Sequence, residues 1–154
     1  MKIQEFLAPG DIVEDLTGST VPEILEELSR PVAAATGMDA NALAAPLLAR
    51  EKLGTTGIGD GVALPHAKIA GLKELRAVFG RSRRGIAFGA SDGPTHLFFA
   101  LFVPETRPGI QLHALASVAG VMKSPSLREA LLHAKNGAEL YRILVSEARA
   151  EVQP

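Results

Sequence analysis

Apolar residues in this chain recur at helical spacing near the N-terminus, gather into nearly unbroken runs through the middle, and return to helical spacing toward the C-terminus. In "STVPEILEELSRPVAAATGM", Ile24, Leu25 and Leu28 share one stripe, Ser19 or Thr20 offers an N-cap, and Pro22 suits a first helical turn. Pro31 has no amide hydrogen to donate, so the pattern predicts a helix that bends or stops near Ser29–Arg30. A second helix is predicted over "DANALAAPLLAREKLG", opened by Asp39, striped by Leu43, Leu47 and Leu48, kinked at Pro46 and terminated by Gly54. Ahead of both, "DIVEDL" reads as a short strand.

The middle of the chain changes period. "IGDGVALPH", "LRAVFGRSRRGIAF" and "GPTHLFFALFVP" read as strands divided by glycine turns. In "HLFFALFV" nearly every position is apolar, the mark of a central strand buried on both faces. Past Pro104 helical spacing resumes, with Leu112, Leu115, Ala116, Ala119 and Met122 on one predicted face behind Pro108. "SPSLREALLHAKNG" begins with a Ser cap and a first-turn Pro and ends on Asn-Gly, and "AELYRILVSEARAE" supplies a last amphipathic helix. The expected fold class is α/β (α+β), a mixed β-sheet flanked by helices, with residues 1–154 forming one domain.

Composition narrows the function classes. A hydrophobic content of 47% against 21% charged residues describes a globular chain, not a disordered one. With 16 basic and 17 acidic residues the net charge is −1, so no global field draws in nucleic acid or an anionic membrane. The basic cluster Arg81, Arg83 and Arg84 reads as a solvated loop. There are no cysteines, which excludes a disulfide framework and a thiolate metal site and fits a reducing compartment. "LFFALFV" is far short of the ~20 residues that span a bilayer, and the N-terminus lacks a secretory apolar stretch. The expected location is the cytoplasm, without membrane insertion.

The four histidines are the candidates for chemistry near neutral pH. His133 reads as a surface residue near a helix C-terminus, and His96 as a strand-end or satisfied core histidine. His66 follows Pro65, and His113 falls in the first turns of a helix, where free amides favour an anion. Gly57, Gly59 and Gly61 have neither dinucleotide nor P-loop spacing. On a strand they would strip one face of side chains, either for close packing or for the approach of another group. No pair of histidines has short metal-ligand spacing, and Ser117 lacks a nucleophile-elbow setting, so neither a metal centre nor a serine hydrolase is expected.

Taken together, "REKLGTTGIGDGVALPHAK" resembles the signature of the enzyme IIA domains of the mannitol/fructose/nitrogen class in the bacterial phosphoenolpyruvate-dependent phosphotransferase system. The matching positions are Arg50-Glu51, Thr56, Gly59, Gly61, Ala63, Pro65 and His66. "DGPTHLFFALFVPE", "LHALASVAG" and "AELYRIL" are also similar to family segments, so the resemblance covers almost the whole chain. It implies the mannitol/fructose-type enzyme IIA fold. It also implies that His66 receives a phosphoryl group, through Nε2, from a phosphocarrier protein (HPr or its nitrogen-branch counterpart). His113 matches the second active-site histidine, stabilising the phosphoryl group, and Arg50 matches the arginine beside the site. Thr56 falls at the family's Thr, a local hydrogen-bond partner, while Gly59 and Gly61 would leave room for the donor's phosphohistidine. No metal or cofactor enters this scheme.

The resemblance is strongest to the nitrogen-regulatory branch, in which regulatory target proteins read the phosphorylation state. A stand-alone fructose/mannitol-type IIA passing phosphate to a IIB domain for sugar uptake is the alternative, and a non-catalytic partner-binding module of the same fold is another. No fused IIB or IIC segment is expected. Two departures stand out. Gly89 follows Phe88 where many relatives carry Asp, and Pro31 and Pro46 are unusual for the first two helices. The sequence does not fix the tautomer of His66.

Overall fold

Thr20 opens the first helix by accepting the Glu23 amide on its hydroxyl, and α1 then runs Val21–Thr36 to a left-handed Gly37. This is seen in a computed structural model that describes residues 1–152. The expected stop near Ser29–Arg30 does not occur, since α1 continues through Pro31. An interior proline costs about 3 kcal/mol. Leu28 and Val32, on either side of it, are wholly buried, and burial of one such side chain contributes about 1.5–3 kcal/mol. Tertiary packing offsets the lost backbone bond. In the same way α2 (Ala40–Lys52) runs through Pro46 while burying Leu43 and Leu47, with Asp39 as its N-cap.

The strands are β1 (Ile12–Val13), β2 (Gly57–Gly59), β3 (Val62–Ala63), β4 (His66–Ile69), β5 (Arg76–Ile86) and β6 (Thr95–Pro104). They form one mixed sheet in the order β1-β5-β6-β3-β2, with β4 also pairing β6. β6 therefore has β5 antiparallel along one edge and β3 then β4 parallel along the other. As its unbroken apolar run predicts, β6 is buried on both faces from Leu97 to Val103.

Helices cover both sides. Phe98, Ala100 and Phe102 face α1 and α2. Leu97, Phe99, Leu101 and Val103 face α3 (Ile110–Met122), α4 (Pro125–His133) and α5 (Gly137–Val152). Edge-to-face phenylalanine pairs brace each layer, Phe88–Phe98 at 5.1 Å on the first side and Phe79–Phe99 at 5.8 Å on the second. Among the described residues, no helix is long and apolar enough to cross a membrane.

Three further sequence expectations change. Arg81 is not in a solvated loop: it lies on β5 with no exposed surface, while Arg83 and Arg84 are exposed. Its Nη1 donates to the carbonyls of Leu131 (2.7 Å) and Ala134 (2.8 Å), and its Nε donates to the Glu14 carbonyl. It thereby occupies the carbonyl-rich C-terminal end of α4. Burial lowers its pKa; Arg83 pushes the same way and Glu14 the other.

The buried face of α3 is also rotated from the one expected. Ala114, Val118, Val121 and Met122 are buried, whereas Ala116 is exposed and Leu112 is 75% exposed. Small residues all around α3 made its stripe ambiguous. Finally, Asn136-Gly137 opens α5 instead of ending α4, because the Asn136 side chain accepts the Glu139 amide at 2.9 Å.

Candidate functional site

Pro65 and His66 sit where β4 joins the central strand. The Pro65 carbonyl accepts the Leu101 amide at 2.8 Å, and Pro65 lacks the amide that a second ladder bond would need. His66 pairs in register with Leu101 and is half-buried. Its Nδ1 is 2.8 Å from the Leu64 carbonyl oxygen. A carbonyl only accepts, so Nδ1 carries a proton, and in the neutral ring Nε2 is the nitrogen with the lone pair. The tautomer left open by the sequence is thus set by a backbone turn two residues long.

The loop between α2 and β2 is tied back to the end of α2. Arg50, in the last turn of α2, donates from Nη1 to the Gly54 carbonyl at 2.8 Å. The Glu51 carboxylate accepts both the Thr56 amide (2.7 Å) and the Thr56 hydroxyl (2.5 Å). Thr56 is buried, and its own carbonyl accepts the Leu64 amide at 3.0 Å. Thr56 is therefore a hydrogen-bond partner within the loop, as expected, with Glu51 as the group it bonds.

The glycines do not line one bare strand face. β2 ends at Gly59, and Gly59, Asp60 and Gly61 have φ of +86°, +57° and +75°, so they form the turn into β3. That left-handed run accounts for glycine at both flanks, and the Asp92 carboxylate accepts the Asp60 amide at 2.9 Å. Gly89 has an equally local reason. Its φ is +91°, and a Cβ placed there would sit 2.7 Å from Thr55 Oγ1, which donates to the Phe88 carbonyl.

His113 lies on α3, in the layer opposite the one that carries Arg50. Leu101, the register partner of His66, packs with Ala114 and Val118 of α3, so His66 and α3 share one side of the sheet. His113 is exposed in the second turn of α3, whose N-cap Gly109 makes no side-chain bond to the leading amides. With Arg107, Gly109 and Ile110 it lines an open hollow of about 460 Å³. Among the described residues, no hydrogen bond joins His66, His113 and Arg50 to one another. Sequence reasoning placed Glu51 in the matching run without giving it a role, and passed over Arg107. A lone cation in "PETRPG" carries no pattern, and the Glu51–Thr56 pairing is visible only once the loop folds back.

The other two histidines are where the sequence put them. His96 Nδ1 lies 2.9 Å from the Ser82 carbonyl oxygen beside the sheet end, and His133 pairs with Glu129 at 2.7 Å on the exposed face of α4.

A mixed sheet with helical layers on both faces, and His66 on a strand paired directly to the central one, defines the class as an α/β domain. The particular family follows from comparison with known proteins. The family model for "Phosphoenolpyruvate-dependent sugar phosphotransferase system, EIIA 2" matches residues 5–147, and the chain belongs to that family. A nitrogen regulatory protein of Bradyrhizobium diazoefficiens is 35% identical over 145 residues, which cover 94% of this chain and 95% of that one. The crystal structure of nitrogen regulatory protein IIA-Ntr from Neisseria meningitidis superposes with a TM-score of 0.84 at 36% identity, covering 92% of this chain and 98% of the other. The mannitol IIA of Escherichia coli has the same fold, with a TM-score of 0.74 at 19% identity over 89% of this chain and 97% of its own.

Proposed function

We propose that His66 is a phosphoryl carrier in nitrogen-regulatory signalling, charged by an HPr-like phosphocarrier protein. The observation that carries this reading is the 2.8 Å contact from Nδ1 to the Leu64 carbonyl, which leaves Nε2 as the free nucleophile. In the transfer, the Nε2 lone pair forms a bond to phosphorus as the donor's P–N bond breaks, and that electron pair returns to the donor nitrogen. The Nδ1 proton stays in place, and the Leu64 carbonyl stabilises the positive charge that develops on the ring.

Phosphoryl transfer of this loose kind depends on positioning and on stabilising equatorial charge. We assign that stabilisation to His113, on α3 in one layer, and to the remaining donors of Arg50, on α2 in the other. Thr56 holds the loop, and the turn at Gly59 and Gly61 keeps side chains away from the approach of the donor's ring. No metal or cofactor takes part in the scheme. Regulatory target proteins in the cytoplasm would read the phosphorylated state, a role supported by likeness to nitrogen regulatory proteins over nearly the whole chain.

The test is incubation with phosphoenolpyruvate, enzyme I and a phosphocarrier, followed by intact-mass analysis. An acid-labile phosphate adduct that disappears in His66→Ala is the expected result. No adduct, or one that survives the substitution, overturns the reading. Rapid onward transfer to a sugar IIB domain would reassign the protein to sugar uptake.

A further inference from the structure

Glu51 does not touch His66, yet an unbroken series of hydrogen bonds connects the two. The Glu51 carboxylate accepts the Thr56 amide and hydroxyl. The Thr56 carbonyl accepts the Leu64 amide, and the Leu64 carbonyl accepts Nδ1–H of His66. Thr56 and Leu64 each give a bond on one side and accept one on the other, so the placement of the second depends on that of the first.

The starting point is also the strongest. Bonds to an ionised carboxylate are roughly twice as strong as those between neutral groups. The loop it holds has glycine at Gly54 and Gly57, on either side of the Thr pair, so without a tether it would sample many backbone conformations. Glu51 is the residue of α2 that supplies this tether, while its neighbour Arg50 clamps the other end of the loop at the Gly54 carbonyl.

We propose that Glu51 is a positioning residue for His66: through Thr56 and Leu64 it holds the imidazole with Nδ1 protonated and Nε2 free. Its consequence for phosphoryl transfer rests on the function proposed above; its consequence for the tautomer does not. Loss of this tether relaxes Thr56, lets the Leu64 carbonyl turn away, and frees the ring to adopt the other tautomer.

The experiment is a long-range nitrogen–proton correlation spectrum of ¹⁵N-histidine-labelled wild type, Glu51→Ala and Glu51→Gln, with single-turnover phosphoryl acceptance from a phosphorylated phosphocarrier. With the spectra taken at a pH high enough to keep the imidazole neutral, wild type is expected to show a protonated Nδ1 and an unprotonated Nε2. Glu51→Ala is expected to give a mixture of tautomers and transfer slowed about tenfold or more, the scale typical of lost supporting bonds around an active ligand. Glu51→Gln keeps an acceptor oxygen at the same reach and is expected to restore most of the wild-type spectrum. An Ala variant with the wild-type tautomer, or a wild type protonated at Nε2, overturns the proposal. Should Glu51→Ala fail to fold, Glu51→Asp decides the matter: a shortened carboxylate must shift the tautomer, and an unchanged spectrum refutes the role. If wild type accepts no phosphate at all, the transfer reading fails, while the spectra still decide the role of Glu51.

Discussion

The Nδ1 nitrogen of His66 lies 2.8 Å from the carbonyl oxygen of Leu64, two residues earlier in the chain. The bond is local, so its geometry belongs to the Leu64-Pro65-His66 turn and not to a partner or ligand. Pro65 fixes φ in the middle of that turn and so limits how far the ring can swing. In the neutral ring of the free protein the proton is therefore expected on Nδ1 with Nε2 open, before any phosphocarrier arrives. Replacing Pro65 with Ala, which restores backbone freedom, should broaden or split the His66 ring signals while those of His133 stay fixed. Identical His66 spectra in the two proteins would mean that the turn does not hold the ring.

Arg81 ties β5 to α4 and to the segment after β1 through three carbonyls. Arg81→Ala removes the donor and leaves the buried Leu131 and Ala134 carbonyls without it, at about 1–3 kcal/mol for each group stranded. A loss of about 2–5 kcal/mol in denaturant unfolding is expected on that basis. Arg81→Lys should fall between, since a single ammonium cannot reproduce the fork that reaches Leu131, Ala134 and Glu14. A variant within ~0.5 kcal/mol of wild type, the range of surface substitutions, would show that these bonds contribute nothing.

Where burial follows directly from side-chain pattern, the fold was legible: β6 from its apolar run, α1, α2 and α4 from their caps, and the Pro-His block from its motif. What failed has a common cause. Arg81, Arg83 and Arg84 are alike in sequence, but a change of register between Arg81 and Ile86 buries the first and exposes the next two. Pro31 breaks a local rule that packing of Leu28 and Val32 overrides. The glycines were visible as a feature, but a strand face and a left-handed turn use the same residue type. The motif held both His66 and Glu51, but no linear pattern records the contact of Glu51 with Thr56.

Gly89 is the departure from relatives that the structure explains most directly. Any other residue there adopts φ near +91° at a cost of about 1–3 kcal/mol. Its Cβ would also press on Thr55 Oγ1. Gly89→Ala should therefore lower stability by about 2–3 kcal/mol in equilibrium unfolding. Adding Thr55→Ala should recover the steric part, at the expense of the Thr55–Phe88 bond, but not the backbone part. Full recovery in the double variant would mean that backbone strain is negligible; no effect of Gly89→Ala alone would refute both terms.

His113 and Arg107 line the same hollow at the start of α3, and both are exposed, so their removal should leave unfolding within ~0.5 kcal/mol of wild type. Their effects on phosphoryl acceptance should differ in kind. His113 is assigned to charge that develops as phosphate transfers, and loss of such a donor slows the chemical step about 100-fold. Arg107 is exposed beside the same hollow and is assigned to encounter, and such effects fade within a Debye length of about 10 Å at 0.1 M salt. Arg107→Ala should slow acceptance only a few-fold at low salt and match wild type at high salt. His113→Ala should remain slow at both. Rapid-quench measurement of acceptance from a phosphorylated phosphocarrier, at two salt concentrations, separates the two behaviours. A salt-independent defect in Arg107→Ala would move that side chain into contact with the phosphoryl group, and a salt-sensitive one in His113→Ala would move the histidine out to the rim.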